Sequence, residues 1–254
     1  EFLQLAPCPG LRTSSVGDVD PESEKFTGFV FKIQANMNPA HRDRIAFIKI
    51  CSGRFTRGME VYNVREGKIV RLSQPQQFMA QERTIIEEAY AGDIIGVFDP
   101  GIFRIGDTLS EENRELKFEG IPIFPAEHFA RVAAADSMKR KQFLKGITEL
   151  SEEGAVQVLK QIDIGIEAFV IGVVGTLQFE VLEHRLKHEY GVNIRMQHLP
   201  YKYARWIGES NIDPKKLNLT SSTMIVYDKK DRYVLLFEND WSINWAKEKN
   251  KGMT

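Results

Sequence analysis

The hydrophobic period of this 254-residue chain changes once, near Gly120-Ile121-Pro122, and the change divides what the chain can fold into. Before it, short β-branched or aromatic runs alternate with turn residues. The runs are Thr27–Ala35, Arg44–Cys51, Met59–Val64, Lys68–Leu72, Thr84–Ala89 and Ile94–Phe98. Between them stand Asn38-Pro39, Ser52-Gly53, Arg57-Gly58, Glu66-Gly67, Gly92-Asp93 and Asp99-Pro100-Gly101. Alternation over four to nine residues, bounded by residues that tolerate tight turns, is the pattern of half-buried strands. Many short strands at this spacing favour a closed or nearly closed antiparallel barrel, because closure removes the unpaired edges that an open sheet would expose.

After the change the period becomes mixed. A strand over Phe129–Ala134 is followed by a helix over Met138–Leu150, which Asp136 is placed to cap and in which Phe143, Ile147 and Leu150 recur at helical spacing. Strands follow at Ala155–Lys160 and Ile166–Val174. Thr176–Tyr190 reads as a second amphipathic helix, with Phe179, Leu182, Leu186 and Tyr190 on its inner stripe and Gly191 at its end. Val192–Gln197 and Tyr203–Ile207 complete a β-α-β-β-α-β order, the ferredoxin-like split-βαβ plan. A C-terminal extension holds a hairpin, Met224–Tyr227 with Tyr233–Phe237, and a short helix with Trp241 and Trp245 one turn apart. The predicted domains are 1–25, the end of a preceding domain and a linker, then a 26–117 β-barrel and a 118–254 α+β domain. Within the first of these, Ala6–Glu24 is rich in Pro, Gly, Ser and Asp and reads as a connector.

Charge narrows the possible partners only a little. Lys plus Arg number 34 against 35 for Asp plus Glu, so any polyanion contact must come from a local patch. The two cysteines, Cys8 and Cys51, form neither a disulfide framework nor a metal cluster and suit a reducing cytoplasm. No apolar run approaches the roughly 18 residues of a membrane span, so no membrane partner is expected. The start Glu1-Phe2-Leu3 has no initiator Met, which fits a piece of a longer protein.

A search for chemistry returns little. No G-x-x-x-x-G-K-[ST] loop is present to cradle phosphates, and no N-K-x-D run to read guanine. Asp93-Ile94-Ile95-Gly96 has the D-x-x-G form of a GTPase element but falls in a turn-to-strand slot of the barrel. Glu180, His184 and His188 share one face of the second predicted helix, as metal ligands would. That face lies opposite the apolar stripe and is read as ordinary solvated surface, so no catalytic, cofactor or metal residue is assigned. Two basic features remain. Lys139, Arg140 and Lys141 occupy the opening turns of the first helix, while Glu149, Glu152 and Glu153 lie near its end, the reverse of what the helix dipole favours. A positive helix start can face phosphate, or it can simply be a solvated end. His41, Arg42 and Arg44 sit on or beside a loop at the predicted barrel rim, where the alternative is that Asp43 pairs with Arg42 or Arg44.

Two long runs carry a resemblance. Phe26-Thr27-Gly28-Phe29-Val30-Phe31-Lys32-Ile33-Gln34-Ala35-Asn36-Met37, followed by His41-Arg42-Asp43-Arg44-Ile45-Ala46-Phe47, resembles the bacterial peptide chain release factor three family of translational GTPases. Leu150-Ser151-Glu152-Glu153-Gly154-Ala155-Val156-Gln157-Val158 and Ala204-Arg205-Trp206 extend it to about Ile207. Gly175-Thr176-Leu177-Gln178-Phe179-Glu180 is similar to a strand-to-helix element of elongation factor G, which marks the wider superfamily. The resemblance implies a barrel of the translation-factor domain II type, then an α+β domain, after a GTPase domain that this chain does not include. Leu5-Ala6-Pro7 looks like the exit from that domain. GTP or GDP and Mg would then belong to the intact protein, with no cofactor in this chain. The implied activity is ribosome binding, to ribosomal RNA and ribosomal protein, with release of stop-codon-reading release factors in the cytoplasm. His41, Arg42, Arg44, Lys139, Arg140 and Lys141 become the candidate ribosome contacts. The later domains of another ribosomal GTPase such as elongation factor G, or a freestanding RNA-binding barrel, are the competing readings.

Overall fold

The computed structural model describes residues 5, 7–35, 44–79, 82–122, 124–161, 168–208 and 216–250, and the chain divides into two compact units, 1–122 and 123–254. In the first unit a small ribbon, β1 (Arg12–Ser14) and β2 (Gly17–Val19), precedes the main strands β3 (Thr27–Ala35) and β4 (Arg44–Ser52). Next come β5 (Arg54–Thr56), β6 (Glu60–Asn63), β7 (Lys68–Arg71), β8 (Gln76–Met79), β9 (Glu82–Ile85), β10 (Glu88–Tyr90), β11 (Ile94–Phe98) and β12 (Thr108–Ser110). Eight of these form one curled antiparallel sheet in the order β7-β6-β12-β3-β4-β11-β8-β9, and β5 pairs with β10. Alternate residues turn inward, as the pleat requires: Ala46, Ile48 and Ile50 of β4 meet Val30, Ile33, Val61, Ile95, Val97 and Leu109 in one core.

The runs expected from sequence omit β5, β8 and β12, and two further stretches of this unit differ from that reading. The stretch read as a connector contains the β1–β2 hairpin, which is strapped to the barrel exterior. The Ser15 amide donates to the Lys117 carbonyl, the Lys117 amide donates to Ser15 Oγ, and the Arg12 guanidinium lies 4.3 Å from the centre of the Phe29 ring. The run read as one strand over Thr84–Ala89 is two, β9 and β10, which pair with different partners, β8 and β5.

The second unit begins with β13 (His128–Ala134), a single 3-10 turn over Ser137–Lys139, and α1 (Arg140–Glu152). After these come β14 (Gln157–Gln161), β15 (Ala168–Val173), α2 (Leu177–Tyr190) and β16 (Ile194–Leu199). The extension adds β17 (Tyr203–Trp206), β18 (Met224–Tyr227), β19 (Tyr233–Phe237) and α3 (Asp240–Lys249). The split-βαβ strands stand in the order β16-β13-β15-β14, all antiparallel, and the helices cover one face of them. Phe143, Ile147 and Leu150 of α1 and Phe179, Leu182 and Leu186 of α2 pack there on Ala130, Val132 and Ile171. Asp136 caps the 3-10 turn by accepting from the Met138 amide, and Gly191 ends α2 at φ +66°, a left-handed position where a Cβ would be strained.

The extension does more than append a hairpin. β14 pairs with β15 through Gln157–Leu159 and then with β18 through Lys160 and Gln161, so one strand serves two halves of a seven-stranded sheet. The β17–β18–β19 half folds over part of the split-βαβ face that the helices leave open. Ala204, Val226, Val234 and Leu236 meet Phe129, Leu159 and Val170 in a second core. Its outer side is closed by Ile243 and Ala246 of α3, which contact Leu235 and Phe237. Val234 through Phe237 are therefore all buried, and the continuous apolar run in β19 follows from having both faces covered.

The unfavourable charges at the end of α1 are answered from elsewhere. Arg185 of α2 places Nη1 2.5 Å from Glu153 Oε2 and Nε 2.6 Å from Glu189 Oε1. Burial opposes the charge on Arg185, but the hydrogen bonds to Glu189 and Glu153 outweigh it and hold the guanidinium pKa above its ordinary value. Lys229 of the hairpin turn donates to the Ser151 carbonyl at 2.7 Å, placing a cation on the last turn of α1 as the helix dipole favours.

Candidate functional site

The six residues singled out from sequence fall in three kinds of place. His41 and Arg42 lie outside the described residues. Arg44 opens β4, but its side chain is only 15% exposed and its Nε lies 2.6 Å from Asp99 Oδ2. Its Nη2 also donates to the Phe103 carbonyl. Asp99 is buried, and its Oδ1 accepts from the amides of Gly101, Ile102 and Phe103. A buried carboxylate needs a counter-charge and filled lone pairs, and Arg44 supplies the charge while the loop amides fill the rest. Arg44 thus clamps the 99–103 loop and is not a free cation at a rim.

Lys139, Arg140 and Lys141 behave differently. All three are exposed where the 3-10 turn passes into α1, and none makes an ion pair with a carboxylate among the described residues. The first turn of α1 carries no acidic residue. Helix polarity and side-chain charge therefore add at this end, giving a locally positive surface on a chain of net charge -1. Met138, 88% exposed, stands beside it. Arg195, which the sequence alone does not bring here, joins this end of the unit. Its Nη2 donates to the Ala135 carbonyl at 2.8 Å, one residue before the Asp136 cap. The only signal for it is register: pairing of Ala134 with Ile194 at the sheet end brings residue 195 to this turn.

The face considered for a metal has another arrangement. Glu180, His184 and His188 are exposed on α2, and the two imidazoles stack with centroids 4.0 Å apart. His188 Nδ1 lies 2.8 Å from the His184 carbonyl, a bond that its Nδ1–H tautomer makes. Among the described residues no three His, Cys, Asp or Glu side chains converge as ligands would. Asp93 of the D-x-x-G match serves its turn, accepting from the Tyr90 amide at 2.8 Å. Cys51 is buried, which pushes its thiol pKa up, and Cys8 is exposed. No helix among the described residues is long and apolar enough to cross a membrane.

The first unit is a curled antiparallel sheet and the second a split-βαβ sheet with an extension, and comparison with known families places them in translation factors. Residues 25–112 match a family model described as elongation factor G domain 2. Residues 118–247 match the model described as class II release factor RF3, C-terminal domain. A peptide chain release factor 3 of Symbiobacterium thermophilum is 58% identical over 252 residues, covering 99% of this chain and 47% of that protein. Those of Listeria welshimeri and Rippkaea orientalis are 49% and 48% identical, covering 98% and 97% of this chain and 47% and 46% of theirs. A crystal structure of a Thermus thermophilus protein superposes with a TM-score of 0.59 at 18% identity, over 84% of this chain and 33% of that one, which bears on the fold alone. The chain belongs to the class II release factor RF3 family. It spans about half the length of the curated relatives it matches.

Proposed function

We propose that this chain is the non-catalytic barrel and α+β portion of a translation-termination GTPase, and that the intact protein binds the ribosome and promotes dissociation of the stop-codon-reading release factors. GTP or GDP with Mg would be handled by a GTPase domain elsewhere in that protein, and the hydrolytic step would take place there. This portion breaks no bond. Its part is to hold a contact surface whose position the nucleotide state changes, as domain movements in switching proteins do.

The observation that carries the reading is the exposed Lys139, Arg140 and Lys141 turn at the start of α1, whose cations make no ion pair among the described residues, in a chain whose relatives are named peptide chain release factor 3. Ribosomal RNA binds such a surface mainly by releasing counterions, so the contact weakens as salt rises. Replacing all three by Glu in the intact factor is expected to lower ribosome affinity and flatten its salt dependence, with the melting temperature not lowered, because none of the side chains is buried and acidic residues suit a helix start. Affinity unchanged across a salt series would remove this turn from the interface. His41 and Arg42 are proposed as a second contact, tested in the same way. Arg44, held by Asp99, is left out of it.

A further inference from the structure

Some cations of the second unit are held by carboxylates, and others, Lys187, Lys202, Arg205, Lys230 and Lys247 among them, make no ion pair among the described residues. Arg185 is held by Glu153 and Glu189, Arg232 by Asp228, Lys145 by Glu149 and Lys160 by Asp231. Arg131, Arg195, Lys139, Arg140 and Lys141 have no carboxylate at ion-pair distance among the described residues. Arg131 and Arg195 stand on paired strands, and Arg195 reaches the Ala135 carbonyl, at the start of the turn that carries Lys139, Arg140 and Lys141. Along β13, Phe129, Arg131 and Ala133 point to the face away from the helices, since Ala130 and Val132 point into the helix-covered core. On the paired strand, Leu199, Gln197 and Arg195 share that face, opposite Phe129, Arg131 and Ala133 in turn. The β17–β18–β19 half covers the Phe129 end, where Leu199 packs on the second core. Towards the other end the surface opens: Arg131 is half-buried, and Gln197 and Arg195 are exposed.

The polar groups here are arranged as donors. Arg131 gives Nη1 to Gln197 Oε1 at 3.3 Å and Nη2 to Gln161 Oε1 at 3.1 Å, while its Nε has no acceptor among the described residues. Each glutamine accepts through Oε1, which turns its own amide N–H groups away from Arg131. Arg195 spends one Nη2 donor on the Ala135 carbonyl. Asp136, between Ala135 and the basic turn, accepts from the Met138 amide and makes no ion pair among the described residues. From Arg131 to Ala135 the backbone covers about 13 Å at strand rise, and the turn then delivers Lys139, Arg140 and Lys141.

We infer that the uncovered half of the split-βαβ sheet, carrying Arg131, Gln197 and Arg195, continues the Lys139–Lys141 turn as one strip that binds a phosphodiester backbone of ribosomal RNA. This rests on the ribosome-binding reading above and deepens it. A row of cations on extended backbone, flanked by amide donors, matches a polymer that carries a charge at every nucleotide and acceptors between them. Arginine adds a flat guanidinium that can stack on an unpaired base, which lysine lacks.

The test uses the intact factor and purified ribosomes. Arg195→Gln should reduce the slope of log K against log salt by about 0.7 to 0.9, the value for one lost phosphate contact. Arg195→Glu should weaken binding further, Arg195→Lys should keep the slope, and the melting temperature should change little because the side chain is exposed. A photo-crosslinking residue in place of Gln197 should capture ribosomal RNA, a measurement that does not depend on the arginine variants. If Arg195→Gln and Arg195→Glu leave affinity and slope unchanged while charge reversal of Lys139, Arg140 and Lys141 weakens binding, the strip is overturned and the turn stands alone. If both sets of variants are silent, the reading beneath it falls too at this end of the unit. Lost affinity with an unchanged slope, or crosslinks only to ribosomal protein, overturns the phosphodiester assignment.

Discussion

Gly146 lies in the middle of α1, where glycine is a poor helix former, and replacing it sets two effects of opposite sign against each other. Helix propensity favours Gly146→Ala by about 0.8 to 1.0 kcal/mol. Against that, a Cβ at this position would stand 2.6 Å from Leu186 Cδ2 and 3.0 Å from Tyr190 Cγ. Neither neighbour has room to yield. Leu186 is fully buried between the helices and the sheet, and Tyr190 is anchored by its hydroxyl to Glu149 at 2.7 Å. Inserting a methyl into such a contact costs about 1 to 3 kcal/mol, so the net expectation is destabilisation by about 1 kcal/mol. Trp206, Trp241 and Trp245 are the chain's three tryptophans and all lie in the second unit, so urea unfolding followed by tryptophan fluorescence reports this unit alone. In a Leu186→Ala background, itself about 2 to 5 kcal/mol less stable, the closer clash is gone and only the 3.0 Å approach to Tyr190 remains, so Gly146→Ala should cost less than in the parent. The coupling between the two substitutions should be about 1 kcal/mol. A Gly146→Ala protein that gains about 1 kcal/mol with Leu186 intact would show that α1 and α2 do not approach as described, and would refute the reasoning.

Three further outcomes follow from other parts of the structure. Arg44→Met should destabilise the first unit by about 3 kcal/mol, seen as an earlier thermal transition, because Asp99 would keep a buried charge with only amides to offset it. A thiol-reactive dye should label one equivalent rapidly in the native chain, at Cys8, and a second only on unfolding; two fast equivalents would contradict the burial of Cys51. Asp228 is buried, which opposes its charge, yet Arg232, the Arg232 and Lys230 amides and Trp206 Nε1 hold its pKa below the ordinary 3.8. Its contribution is therefore complete above about pH 4 and is lost as pH falls through the lower folded value. Asp228→Asn should destabilise the second unit at neutral pH, with a deficit that shrinks in acid, and a deficit independent of pH would assign it to packing alone.

The separation of the two basic clusters shows how local and remote information divide. In sequence, Arg44 and the Lys139–Lys141 turn look alike, each a group of cations beside a turn. What distinguishes them is Asp99, 55 residues from Arg44, which the barrel brings to its guanidinium. The helix turn has no such partner among the described residues. Arg195 is not legible as part of the site because its place beside Ala135 depends on the pairing of β13 with β16, and a slip of one residue would turn it to the helix-covered face. Nothing along the chain from 139 to 195 carries that register.

The sequence by itself determined the longer elements and their type. Alternation in the first half, the β-α-β-β-α-β succession in the second, the 224–237 hairpin and the tryptophan helix are all properties of neighbouring residues, and each appears in the fold. Only the tertiary structure decided that β14 is shared between two halves of a sheet and that Val234 through Phe237 are covered on both sides. It also decided that Arg185 and Lys229 answer the acidic end of α1, and that Arg131 and Arg195 share the other face of the split-βαβ sheet with no ion pair among the described residues. The physical reason is the range of the interactions. Period and capping act within a few residues, whereas burial on a second face and charge compensation depend on which distant strands pair and in what register.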